Sequence, residues 1–560
     1  MWKRNLFTKQ WSFFWAWVVF GLAQIVYMGG HILAKVLDGT TNLLSISVKP
    51  ITVTTDLGKM FRALEVAIYK LFNLPDFELY GRVAKLPDGS VLSSGDKLVS
   101  PFVPGVGWQI IGMAIGGLIV VLLEREPRIW AKYSTKLLLT SFVGGMLFSY
   151  GTRLAGGCTL NHLLGGVPMM NIHSTVTLIF MSIGGLLAFW LMSKMWLAQY
   201  FKHQETKCYV KHEYEKGNMR DGATYDPNYN PWKRPATWIG LAFVIALFGV
   251  AWYAGSNNPE WLQYMSGDKL HAVYKSVAHK GFIYVFFTLL AGIIAGFGMA
   301  KSGFGTECAL VSVEAASMLR KEEEKWKKYG LPNITFTLFK GLLPLQGVAI
   351  SWVIVTLFVL ITWWFFGMAH GFSSYDPHHY NYKYFLTLGS VLWGFLLGAG
   401  AVLLIGCEIR SYMRLGMLYL NTLIGFIGFA IGYLPFTLFY EQHIKFLYKT
   451  IPSYLEKNQI FTWPDLVAFW TTGRSDYVAH KMFAAWDILG PEYWKTHGVA
   501  LLVAVLRFLV IVWILVWTFK VGKKYLSNGK MAVNEADIVM NNTEELHLKL
   551  QGEDPQKVCG

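Results

Sequence analysis

The sequence predicts an all-α polytopic membrane protein with about ten transmembrane segments, an internal pseudo-repeat and re-entrant half-helices. Three observations carry this. The 560 residues are 54% hydrophobic and 16% aromatic, more apolar than soluble chains of this length. Several apolar runs exceed the roughly 20 residues that cross a bilayer. The third observation is a repeat. In the run Gly144-Gly145-Met146-Leu147-Phe148-Ser149-Tyr150-Gly151-Thr152-Arg153-Leu154-Ala155-Gly156-Gly157-Cys158-Thr159, the residues Gly145, Gly151, Gly157 and Cys158 recur at the spacing of Gly394, Gly400, Gly406 and Cys407. A thiol at the same point of each half of a duplicated membrane fold is where a transport site would be built.

Hydropathy places spans near 12–35, 103–123, 136–157, 174–200, 236–255, 280–300, 347–368, 385–406, 415–438 and 498–520. Met1-Trp2-Lys3-Arg4 leads into the first apolar run without a small-residue cleavage site, so that run reads as a retained helix. The organisation that follows is an N-terminal helix 1–35, an extracytoplasmic loop 36–100, a first repeat 101–201 and a cytoplasmic linker 202–235. A second half 236–440, an extracytoplasmic loop 441–497, a last helix 498–524 and a cytoplasmic tail 525–560 complete it.

The charge pattern supports this order. The formal charge is +15, and Lys and Arg gather on the cytoplasmic side of membrane proteins. Clusters at Lys3–Lys9, Arg125–Lys136, Lys202–Arg234, Arg320–Lys340, Arg410–Arg414 and Lys520–Lys524 all fall on one side if both termini are cytoplasmic. The expected location is the plasma (inner) membrane of a bacterium or archaeon. With the charge so explained and no binding motif present, no nucleic-acid partner is expected. The loops 36–100, 369–384 and 441–497 fall on the other side, where they would form a modest cap.

Five cysteines lack any Cys-x-x-Cys spacing, which argues against a zinc ribbon or a thioredoxin motif. Cys158, Cys308 and Cys407 lie in glycine-rich apolar surroundings, whereas Cys208 and Cys559 are in polar segments. Closely spaced glycines interrupt helices, and broken helices at membrane depth line cavities. A thiol donates a weak hydrogen bond to an anion or a sulfur, and a half-helix N-terminus offers free N–H groups to the same anion. Gly157, Cys158, Thr159, Gly406, Cys407 and Cys308 are therefore read as a path for a sulfur-containing anion. The alternative for each thiol is a small buried hydrophobe, and the matched frames favour the path. The glycine pairs Gly112/Gly116, Gly292/Gly296, Gly394/Gly398 and Gly428/Gly432 are read as close helix packing.

Charges beside these thiols are candidates for binding or coupling, because intramembrane charge is a functional signal. They are Arg153, Lys301, Glu307, Glu408 and Arg410. Lys301 and Arg410 also fit interfacial positions with their side chains reaching the headgroups. The glutamates would pair with Arg153 or Lys301, or take up a proton. His162, four residues after Cys158, either sharpens the thiol or hydrogen-bonds backbone within its loop. No metal is expected. His370, His378 and His379 read as a solvated loop, and no Walker-type nucleotide motif is present.

The Gly144–Cys158 run resembles the Gly-Gly-Cys motif of the YeeE/YedE sulfur-transport family, which includes thiosulfate-uptake permeases, and Gly394–Cys407 resembles its second copy. Gly296-Phe297-Gly298-Met299-Ala300-Lys301-Ser302-Gly303-Phe304-Gly305-Thr306-Glu307-Cys308 resembles the family's basic-Phe-Cys signature. Gly21 to Gly30 carries glycines without a cysteine, and the loops 36–100 and 441–497 are long for the family. The resemblance covers about 100–200 and 280–440. It implies that Cys158, Cys308 and Cys407 line the central constriction and hand a thiosulfate-like ion along through transient S–H···S contacts. It implies a transporter rather than an enzyme, with no cofactor. The partners expected are a small inorganic sulfur anion, membrane lipid and a cytoplasmic sulfur-accepting protein. Two other readings stay open. One is a membrane subunit of a sulfur-redox or electron-transfer complex, suggested by His31, His162, His173 and His279. The other is a sulfur-transfer protein that forms cysteine persulfides.

Overall fold

A computed structural model of the protein describes residues 13–37, 51–61, 106–124, 135–167, 171–195, 279–302, 348–358, 386–438 and 453–472, a few positions inside these ranges excepted, with short pieces at 39, 47–48, 238, 242, 263–272, 361, 369–370 and 505–517. The described chain is nearly all helical. In order it contains α1 (Phe13–Leu37), β1 (Ser47–Val48), a helical segment at 53–61, α2 (Trp108–Glu124) and α3 (Thr135–Leu154). A π-helical turn (Leu160–Gly166) and α4 (Ile172–Met195) follow, then the hairpin β2 (Gln263–Ser266) and β3 (Lys269–Ala272). The second half holds α5 (His279–Ser302), α6 (Val348–Phe358), β4 (Ala369–His370), α7 (Leu388–Leu403), α8 (Glu408–Gly416) and α9 (Leu420–Leu438). Two short helices, α10 (Tyr454–Lys457) and α11 (Trp463–Thr472), complete it.

Eight of the ten expected spans coincide with α1 to α7 and α9, while the spans at 236–255 and 498–520 lie almost wholly outside the described residues. Among the described residues, three helices are long and apolar enough to cross a membrane: Trp17–Leu37, Ile283–Lys301 and Leu388–Gly416. The last of these runs through the break at Cys407, which separates α7 from α8.

The two halves interleave. α3 packs on α7 and α9, α4 packs on α7, α5 packs on α1 and α2, and α8 packs on α2. The glycines explain how the helices come this close. A methyl group on Gly184 of α4 would overlap the Phe395 carbonyl of α7, and one on Gly432 of α9 would overlap the Met146 carbonyl of α3. Met146 and Phe395 are the repeat counterparts, 249 positions apart, so both contacts are one contact seen twice. All four glycine pairs singled out in the sequence lie at such backbone approaches: Gly112/Gly116 against α5, Gly292/Gly296 against α2, Gly394/Gly398 against α4 and Gly428/Gly432 against α3. Close approach of this kind gives packing and weak C–H···O contacts where lipid offers no hydrophobic drive.

The segment at 51–61, within the expected loop 36–100, packs into the core. Ile51, Val53 and Leu57 are fully buried, and Ile51 N–H donates to Gln24 Oε1 of α1 at 2.8 Å. Gln24 sits thirteen residues before the end of α1, so the chain doubles back by about 20 Å along that helix at 1.5 Å per residue. β1 pairs with β4 in parallel, Ser47 opposite Ala369. Leu455, Ile460 and Leu466 bury against Ile172, and Trp463 Nε1 donates to Thr175 Oγ1 of α4 at 3.2 Å.

Candidate functional site

The first glycine–cysteine turn is built by its own sequence. α3 ends at Leu154, and Gly156 takes φ +80°, a left-handed conformation that closes the helix without the Cβ penalty other residues carry. Asn161 Nδ2 reaches back to the Gly156 carbonyl at 3.4 Å, and a Cβ on Gly157 would collide with that amide. Gly157 is thus needed for the space Asn161 occupies. Thr159 then leads, fully buried, into the π-helical turn, a conformation frequent at functional sites. The widened turn is tied down from outside by Trp352 Nε1 of α6, which donates to the Leu163 carbonyl.

Two histidines brace this turn. His173 Nε2–H donates to the Ala155 carbonyl at 2.8 Å, and its Nδ1 meets Ser390 Oγ of α7 at 2.7 Å. Ser390 also completes the capping box of α7 with Thr387. His162 Nδ1 meets Ser174 Oγ at 3.0 Å, and its ring lies 5.2 Å from that of His173. The sequence left His162 as a thiol activator or a loop histidine bonded to backbone. Fully buried, His162 meets the Ser174 side chain and lies beside the Gly157 and Ala155 backbone.

The second turn is plainer. Cys407 is the N-cap residue of α8, with extended backbone and no side-chain capping bond, and its carbonyl accepts from Ser411 N–H at 2.9 Å and Ser411 Oγ at 3.0 Å. Arg410 folds back over Gly406, its Cδ lying 3.3 Å from the position of an added Cβ.

The two turns converge through Glu408. This carboxylate is fully buried at the first position of α8. Its Oε2 accepts from Thr54 Oγ1 at 3.1 Å, its Oε1 accepts from Tyr412 Oη, and the Cys158 thiol lies close beside it. Arg153, 4% exposed, supplies the opposite charge to the same cluster, and its guanidinium lies over the Tyr433 ring at 5.9 Å from the centroid. Cys158 and Cys407 are both buried free thiols within the main apolar core. The cluster therefore sets one thiol, one carboxylate and one guanidinium in a buried environment, where each charge acts more strongly than in water.

The structure thus brings Arg153, Cys158 and Glu408 together, and Cys407 precedes Glu408 at the N-cap of α8. Lys301 ends α5 and is fully buried, so an interfacial, headgroup-reaching position does not describe it. Glu307 and Cys308 lie outside the described residues. Sequence reasoning missed Thr54 and Tyr412. Thr54 gave no signal, because it sits in a stretch without a long apolar run. Tyr412 lies four residues after Glu408, one helical turn away and thus on the same face, and that spacing was the available signal.

Beside the cluster, Asp56 and Lys59 form a 3.3 Å ion pair in the 53–61 segment. The His31 ring lies between Tyr27 and Tyr284, 4.4 Å from each.

Comparison with known proteins bears on this geometry. Residues 1–187 match the sulphur transport family. The match takes in α1 to α4, including the first Gly-Gly-Cys turn. Two curated relatives share part of the chain. The thiosulfate transporter TsuA of Escherichia coli is 28% identical over 137 residues, 23% of this chain and 38% of that protein. The thiosulfate transporter TsuA of Spirochaeta thermophila is 28% identical over 86 residues, 15% of this chain and 26% of that protein. The chain thus spans well under half the length of the curated relatives it matches. The family resemblance read from the first Gly-Gly-Cys motif is matched within residues 1–187, whereas Gly394–Cys407 and the Cys308 segment lie outside that match; with the apolar helices it supports a membrane protein.

Proposed function

We propose that the protein is an integral membrane transporter for an inorganic sulfur-containing anion such as thiosulfate, passed along a cysteine-lined central path. The observation that carries this reading is the convergence of the two repeated glycine–cysteine turns on one buried cluster with Arg153 at its side. A polarisable thiol and a buried guanidinium suit a soft anion: the first donates a weak hydrogen bond to sulfur, and the second supplies charge. The match of residues 1–187 to a sulphur transport family and the names of the two relatives support the substrate class.

In this reading Cys158 and Cys407 are successive stations, with Cys308 a third, and Gly157, Gly406 and Thr159 shape the backbone around them. Arg153 and Lys301 attract the anion, and Arg410 guards the second turn. The chain crosses the plasma membrane of a bacterium or archaeon about ten times with both termini in the cytoplasm. The 51–61 segment and α8 serve as re-entrant halves, and the domain boundaries are those of the sequence reading. The protein works as a carrier rather than an enzyme, delivering its ion to a cytoplasmic sulfur-accepting protein.

The test is uptake of radiolabelled thiosulfate into proteoliposomes holding the full chain. Wild type accumulates label, and Cys158→Ser loses uptake by more than about tenfold, the scale of one lost contact of 1.4 kcal/mol, while eluting as a folded protein. Full uptake in Cys158→Ser removes the thiol from the path, and a wild type inert to thiosulfate, sulfite and tetrathionate removes the transporter.

A further inference from the structure

Glu408 is out of place in a path for anions. Its carboxylate already accepts the Thr54 and Tyr412 hydroxyls, with the Cys158 thiol close beside it and Arg153 as its counter-charge. These are the donors that an oxygen- or sulfur-bearing anion would use, so the carboxylate occupies the anion's station. Two anionic groups held side by side in a buried site repel strongly. The conflict grows when the newcomer carries two negative charges. A proton on the carboxylate removes it, because a neutral carboxyl competes weakly for the thiol and the guanidinium.

We propose that Glu408 is a proton-carrying gate at the Cys158 station: the anion displaces the carboxylate only when the carboxylate takes up a proton, so anion and proton cross together. The inference rests on the transporter reading above. The step is a proton transfer alone. One proton from the solution on the arriving side adds to a Glu408 oxygen and leaves to the opposite side with the anion, and no bond to sulfur forms or breaks.

Among the described residues, the groups facing Glu408 come from several elements. Cys158 and Arg153 belong to the first turn and to α3, Thr54 to the 53–61 segment and Tyr412 to α8 itself, while Tyr433 of α9 faces Arg153. Arg410 and Arg414 lie further along α8, Lys301 ends the neighbouring α5, and Asp56 acts on Arg153. Within this set Glu408 is the acidic group that touches the thiol, which is why the coupling is assigned to it.

Proteoliposomes with a pH-sensitive dye inside separate the outcomes. When thiosulfate is added outside, wild type acidifies the lumen as label enters, and apparent affinity weakens by up to about tenfold per unit rise in outside pH, the slope of one proton bound with one anion. Glu408→Gln slows uptake, and the label that still enters brings no acid and shows no pH slope. Glu408→Asp, which keeps a carboxyl, restores acidification, so misfolding of the glutamine variant does not decide the matter. Wild-type uptake without acidification overturns the gate and leaves the transporter standing, as does Glu408→Gln acidifying like wild type. Absence of wild-type uptake removes both.

Discussion

At the scale of single residues, the site depends on hydrogen bonds made to one buried charge. Truncating a donor to a charged acceptor costs about 1.5–3 kcal/mol, because the acceptor stays behind without water. Tyr412→Phe and Thr54→Val each remove one donor from Glu408 with little change in volume. Each is expected to lower the apparent melting temperature of the detergent-solubilised protein, and the pair to act non-additively, since both serve one carboxylate. Unchanged melting in both would show that neither hydroxyl supports the charge. A different outcome belongs to His173, which holds the turn through the Ala155 carbonyl and Ser390. His173→Ala frees the Ala155 carbonyl and Ser390. It should weaken the half-saturating thiosulfate concentration while leaving Cys158 present, and His173→Asn, which can donate to Ala155, should recover part of the loss. Arg153, Cys158 and Glu408 were legible in the sequence because charge and thiol stand out in an apolar run. Thr54 was not. Its bond to Glu408 spans 354 positions, and a threonine in a loop-like stretch carries no periodic signal.

At the scale of helices, the glycines divide into those that a neighbour presses on and those that none does. Gly184 of α4 meets the Phe395 carbonyl of α7, whereas a Cβ on Gly29 of α1 would meet nothing within 4 Å. Gly184→Ala forces two backbones apart and is expected to cost about 1–3 kcal/mol, the usual scale of overpacking. Gly29→Ala is expected to be neutral or stabilising by up to about 1 kcal/mol, the helix-propensity difference. Thermal scans of both variants check the contrast, and equal melting temperatures would contradict the α4–α7 approach. Most helices were readable from hydropathy, since apolar length is what a bilayer selects. The four glycine pairs were readable as packing sites because small residues four apart share one helix face. The π-helical turn at Leu160–Gly166 was not readable. It arises from tertiary ties, with Trp352 holding Leu163 and the Ser174 hydroxyl meeting His162, and local sequence does not encode them.

At the scale of the whole molecule, the repeat visible in the sequence is also the rule of assembly. Gly145 of α3 approaches Gly425 of α9, and its counterpart Gly394 of α7 approaches Thr177 of α4, so each half supplies the partner the other lacks. α1 likewise packs on α5, and α2 on both α5 and α8. Neither half closes its own core: Phe148 and Cys158 of the first bury with Phe429, Leu397 and Cys407 of the second. The spacing of 249 residues announced the duplication. It did not announce that helices pair across the halves rather than within them, because a repeat period records ancestry and not contact. The consequence is testable with the chain cut in its linker. Fragments 1–235 and 236–560 expressed together should co-purify after tagging one of them, since the interleaved faces survive the cut and only a covalent tether is lost. Expressed singly, each exposes glycine-lined grooves and a buried charge, Arg153 in one and Glu408 in the other, each without its opposite charge. Such fragments should be degraded or aggregate. A stable, monodisperse 236–560 fragment on its own would contradict interleaving and return the halves to independent units.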